Sequence, residues 1–169
     1  MTHDGQTNGA KAGLYCTFRL DGRLFGVIVL DVKEVSAATT FTTIPHAPPE
    51  VCGYVNLRGQ IHLLLDLRQM LGLERAELTP ASRLVLFKPS IGESFGVLVD
   101  AVGDIVQLGR ERIESRAPAE EPGGGEFLLG VGELDDELVM LLEPRRFLPA
   151  LRRPPRTPPH AALPLPDRR

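Results

Sequence analysis

Two stretches of the chain repeat without a gap, and an internal repeat restricts the folds open to a sequence more than any single motif does. FGVIVLDVKEV, from Phe25, aligns with FGVLVDAVGDI, from Phe95, at an offset of 70 residues. Gly53 to Leu71 aligns with Gly130 to Leu148 at an offset of 77, so Leu57, Ile61, Leu63, Leu64 and Leu65 face Leu134, Leu138, Met140, Leu141 and Leu142. In that register Asp66 meets Glu143, Arg68 meets Arg145 and Met70 meets Phe147. The offsets differ by seven residues, close to what the Gly-rich stretch APAEEPGGGE at 117–126 adds to the second copy. Copy one spans about residues 21–72 and copy two about 84–148. Each is too short for a stable sandwich of its own. The repeat therefore predicts two small barrels that share a core at their junction, leave a groove between them and are free to exchange strands.

The apolar spacing is that of strands throughout. Leu14 to Leu20 and Leu24 to Leu30 flank Asp21-Gly22, a hairpin signal because glycine accepts the positive φ of a tight turn. Thr42 to Ile44 reads as a short strand ended by Pro45, Pro48 and Pro49. Further strands are expected at Tyr54 to Leu57, Gln60 to Leu65, Leu84 to Phe87, Phe95 to Val99, Ile105 to Leu108, Phe127 to Leu134 and Leu138 to Leu142. Asp66 is a natural N-cap for a short helix ending at Gly72, and Pro144 opens a second one, RRFLPAL. The fold class is all-β with short helices.

Charge is unevenly placed. The last 18 residues, 152–169, hold five Arg and one Asp, a net +4, so a total of −3 leaves −7 on the rest. An acidic body without a basic stripe argues against nucleic acid. Six prolines in that tail exclude a helix or a central strand, so it is expected to be disordered, as is the polar segment 1–13. Its P-x-x-P at Pro155 to Pro158 is a pattern that chance also produces. No leader-like segment or spanning helix is evident, and the expected location is the cytoplasm. Cys16, Cys52, His46 and His62 have neither metal-ligand spacing nor the setting of a nucleophilic pair. No catalytic group, cofactor or metal is expected. Seven Phe, two Tyr and no Trp, mostly at core positions, also disfavour an SH3-like module that reads peptides or nucleic acid with exposed rings.

The repeat supplies a comparison for one residue. Copy one turns through Arg58-Gly59 where copy two turns through Asp135-Asp136, with matching strands on both sides. Arg58 is then not demanded by barrel geometry, and an ion pair or a partner contact explains it better. Glu34 keeps its charge as Asp104, which points to a partly structural role.

The residues that carry these features resemble the CheW family, the coupling proteins of bacterial chemosensory arrays. The resemblance covers Leu14 to about Leu148. It rests on Phe18, Leu20, Gly22, Phe25, Gly26 and Val27, on Val32 to Val35, on Pro45, Ala47, Pro48, Val51, Gly53 and Asn56 to Gly59, and on Asp66 to Arg68. It implies a CheW-like domain over 14–151, built as two intertwined five-stranded SH3-like barrels without a catalytic site. It also implies two partners, the regulatory domain of a CheA-type histidine kinase and the cytoplasmic tip of a methyl-accepting chemoreceptor, at receptor arrays. An adaptor of the same kind in a chemosensory pathway for pili or development is the alternative. By position, Val32, Glu34, Gly53 and Arg58 match family positions tied to receptor coupling, with Asn56 beside the turn. The apolar stretch Val27, Val29 and Leu30 would line the groove, and Arg58 would pair with Glu34 at its rim.

Overall fold

The computed structural model describes residues 9–115 and 124–151. The tail 152–169, most of the 117–126 stretch and residues 1–8 lie outside these. Eleven strands and two short helices follow one another: β1 (Gly13–Leu20), β2 (Arg23–Ile28), β3 (Val32–Ala37), β4 (Val51–Leu57), β5 (Gln60–Asp66), α1 (Leu67–Met70), β6 (Arg83–Phe87), β7 (Phe95–Val99), β8 (Ala101–Leu108), β9 (Ile113–Ser115), β10 (Leu128–Glu133), β11 (Leu138–Leu142) and α2 (Phe147–Leu151).

They form two sheets, ordered β8-β1-β2-β11-β10-β9 and β3-β6-β7-β5-β4. The repeat equates β2 with β7, β3 with β8, β4 with β10 and β5 with β11. Exchanging the copies converts the first five strands of one sheet into the other sheet, with β1 and β6 as counterparts. Each sheet is thus built from both copies. Strands of the two copies pair in parallel at β2 with β11 and β5 with β7, and antiparallel at β1 with β8 and β3 with β6.

Side-chain alternation along β5 and β11 then sorts the core. Leu65 and Leu142 join a central cluster with Phe18, Phe25, Phe87, Phe95 and Phe147, shared by the two sheets. From the opposite faces, Leu64 joins Val55 and Leu84 within the second sheet, and Val139 and Leu141 join Tyr15, Leu24 and Leu108 within the first. Two private interiors and a common seam are the arrangement that the repeat predicts.

Several elements differ from the sequence expectation. β2 stops at Ile28, because Val29–Asp31 form a single 3-10 turn that redirects the chain into β3. The strand expected at Thr42 to Ile44 is one bridge, Thr42 with Tyr54, closed by two hydrogen bonds of 2.8 Å. Its counterpart β9 forms a true strand on β10, so the first sheet has six strands rather than five. Pro45, Pro48 and Pro49 end the copy-one segment early.

Both contacts explain a repeated glycine. Gly53 and Gly130 sit at matching register shifts in β4 and β10. A Cβ on Gly53 would lie 2.0 Å from the Thr42 carbonyl oxygen, and one on Gly130 would lie 2.6 Å from that of Glu114. Gly53 also has φ +146°, which side-chain-bearing residues avoid.

Candidate functional site

The predicted rim lies where β3, at one edge of the second sheet, meets the tip of the β4–β5 hairpin at the other. Leu57 pairs with Gln60, leaving Arg58-Gly59 as a two-residue turn. Both have positive φ, +52° and +82°, the backbone of a type I′ turn. Asn56 fixes it, its Oδ1 accepting from Gly59 N at 3.1 Å. A left-handed arginine costs about 1 kcal/mol or more, since its Cβ crowds the following carbonyl.

The side chain held there is 85% exposed, with Arg58 Nη1 3.0 Å from Glu34 Oε2. Beside it Lys33 Nζ donates to Gln60 Oε1 at 3.0 Å. These two links join the sheet edges through side chains rather than a ladder. The exposed ion pair is worth about 0.2 to 1 kcal/mol, too little to justify the strained backbone by stability alone.

The copy-two turn does not supply the control that the sequence seemed to offer. Asp135 and Asp136 both lack positive φ, so that turn has a different backbone, and Asp135 pairs with Arg112 at 3.0 Å. Tolerance of Asp in one turn therefore says little about the other.

The remaining expected residues take distinct places. Val32 is half-buried against the shared core. Gly53 lies inside the sheet, so its part is to let Thr42 approach rather than to present a side chain. The expected apolar strand from Val27 to Leu30 needs correction. Val27 is fully buried in the seam, Val29 is half-buried in the 3-10 turn, and of the three only Leu30 stands out, 69% exposed. Sequence reasoning missed that Ile61 and Val35 are exposed apolar side chains near this rim. Ile61 continues the seam face of β5 beyond the core, and its equivalent Leu138 is exposed in the same way. An apolar pair repeated at the turn end of both strands was the available signal.

Chemistry elsewhere is sparse. Among the described residues no group of three or more His, Cys, Asp or Glu could hold a metal ion. Both cysteines are free, and burial, with Asp66 adding to it, pushes the Cys52 thiol up to about 12. A cavity of about 640 Å3 between the Phe41–Pro49 loop and Asp66 borders none of the eight expected residues. Among the described residues no helix is long and apolar enough to cross a membrane.

The candidate rim thus combines a hairpin-tip guanidinium, its acidic strand partner and exposed aliphatic residues. The model of the CheW-like domain matches residues 14–152. The chain belongs to the CheW family. The CheW-like chain is 31% identical over 138 residues to the chemotaxis protein CheW of Rhizobium meliloti, covering 81% of this chain and 86% of that one. It is 30% identical to protein FrzA of Myxococcus xanthus, covering 80% and 84%. The crystal structure of the scaffolding protein TtCheW from Thermoanaerobacter tengcongensis superposes with a TM-score of 0.70 at 27% identity, covering 78% of this chain and 89% of that one. The all-β, two-sheet fold and the role of a chemotaxis coupling protein follow from this membership.

Proposed function

We propose that this chain is a non-enzymatic cytoplasmic adaptor that ties the tip of a chemoreceptor to the regulatory domain of a CheA-type histidine kinase. The observation that carries the reading is the Arg58 turn. An exposed guanidinium is held in a costly backbone conformation and paired with Glu34, while Leu30, before β3, and Ile61, near the start of β5, are exposed apolar side chains. A partner helix lying against such a rim would gain apolar contact and one charged group to set its register. The recurrence of exposed apolar residues at Val35 and Ile105, and at Ile61 and Leu138, supports docking to a partner at each half of the molecule.

Co-sedimentation of the protein with receptor-tip fragments and kinase tests the reading. Arg58→Asp should abolish the ternary complex while leaving the fold intact. Normal assembly by that variant would refute the role of Arg58. In a double-mutant cycle, Arg58→Ala and Glu34→Ala should be less than additive in binding. The likeness to FrzA favours a second reading, the same adaptor role in a chemosensory pathway other than chemotaxis, such as one for pili or development. Swimming and surface motility of a deletion strain separate the two.

A further inference from the structure

We infer that Arg145, from copy two, is the positioning residue of the partner surface on copy one. It holds the Val29–Asp31 corner so that Leu30 is presented and β3 begins with Val32 and Glu34 at the rim. The inference rests on the adaptor reading and adds a residue from the other half of the chain. Arg145 Nη1 donates to Asp31 Oδ2 at 3.0 Å and Nη2 to Asp31 Oδ1 at 3.3 Å, a two-pronged pair that fixes direction as well as distance. The Asp31 side chain is only 8% exposed. Burial opposes the Arg145 charge, but Asp31 and then Glu143 outweigh it and raise its pKa.

The backbone around this carboxylate is the corner itself. Val32 N donates to Val29 O to close the 3-10 turn, and Lys88 N donates to Asp31 O at 2.9 Å. Without the guanidinium, the Asp31 carboxylate would be buried and unpaired, a costly state that it escapes by turning out to water. The corner would have to open for it to do so. Leu30 would then leave its place, and the start of β3 would shift against Arg58.

The repeat provides a matched comparison. Arg68, the copy-one equivalent, makes the same two-pronged contact with Asp100, Nε to Oδ1 at 2.8 Å, at the β7–β8 corner. Asp100 also accepts from Asp21 N at 2.9 Å. Each copy thus braces a corner of the other, but only the Arg145 corner carries Leu30 into Glu34.

The test compares full-length Arg145→Ala, Arg68→Ala and Arg145→Ala/Asp31→Asn with wild type. One readout is affinity for a receptor-tip fragment and for the kinase regulatory domain. The other is amide exchange over residues 30–35. Arg145→Ala is expected to lose about tenfold in affinity and to exchange these amides at least about tenfold faster. Arg68→Ala, whose Asp100 partner keeps the hydrogen bond from Asp21 N, should stay within about twofold on both. Removing the stranded carboxylate as well should restore most of the affinity. If the alanine variant does not fold, Arg145→Gln is measured in its place.

Wild-type binding by Arg145→Ala, or an equal loss in Arg68→Ala, overturns the inference. A wild type that binds neither partner overturns the adaptor reading instead, and the exchange comparison then decides the corner alone.

Discussion

Gly53 sets a sharp test of how the Thr42 segment is held against the edge of the second sheet. Replacing it by alanine puts a Cβ 2.0 Å from the Thr42 oxygen and 2.7 Å from the Thr42 carbonyl carbon. Neither is a flexible side-chain end, so the backbone must move. Two costs follow. A side chain at φ +146° is strained by about 1–3 kcal/mol. Displacing Thr42 breaks the paired hydrogen bonds to Tyr54, each worth about 1 kcal/mol. Together they give about 3–5 kcal/mol, or roughly 10–15 °C in Tm for a domain of this size. Gly130→Ala meets the Glu114 oxygen at 2.6 Å without positive φ and should cost about half as much. Denaturant titration and thermal melts of both variants read these values. A Gly53→Ala Tm within about 2 °C of wild type, or a larger loss in Gly130→Ala, would refute the reasoning. Any loss of partner binding in Gly53→Ala should appear together with lost stability, since Gly53 has no side chain to offer a partner.

Other consequences are equally direct. Arg58→Asn places a residue that tolerates left-handed backbone in the turn, so stability should stay within about 1 kcal/mol of wild type while partner affinity falls at least about tenfold; a melt and a titration on one sample check both. His62 is buried, and its Nδ1 has no hydrogen-bond partner. Burial first, then Lys33, lowers its pKa, with Glu34 opposing. The unfolded chain therefore takes up the proton first, and stability should be full above about pH 6.5 and fall below it until the folded state also binds the proton. The decline is at most about 1.4 kcal/mol per pH unit. His62→Leu should remove that part of the decline, and identical slopes in denaturant titrations from pH 8 to 5 would show that His62 is not held neutral.

The sequence disclosed those parts of the fold that local chemistry dictates. Asp21-Gly22 makes its hairpin, and Asp66 caps α1 by accepting from Gln69 N. The repeat located the shared seam because Leu63, Leu65, Met140 and Leu142 keep their spacing in both copies. What stayed hidden was decided by distant partners. Val29 and Leu30 continue an apolar run as far as Asp31, yet the chain turns there, with Arg145 and Lys88 N holding Asp31. Val32 to Ala37 alternates half-buried and exposed along an edge strand, a pattern whose charges mask its period. At the candidate rim the Arg58–Glu34 pair was legible from residue type. The left-handed backbone that makes it costly was not, because arginine is a poor predictor of that conformation. The reciprocal arginine braces require knowing which corner meets which helix, and no spacing encodes that.

Because β2 waits for β11 and β5 waits for β7, a nascent chain that has released only its first half holds unfinished edges in both sheets. Commitment to the native state must come late in synthesis, once the last strand has left the ribosome. Each sheet borrows strands from both copies, as in a domain-swapped pair whose members are joined end to end. One hairpin tip carries a cation and the equivalent tip carries two acids, so a single polypeptide turns two electrostatically opposite ends to its surroundings.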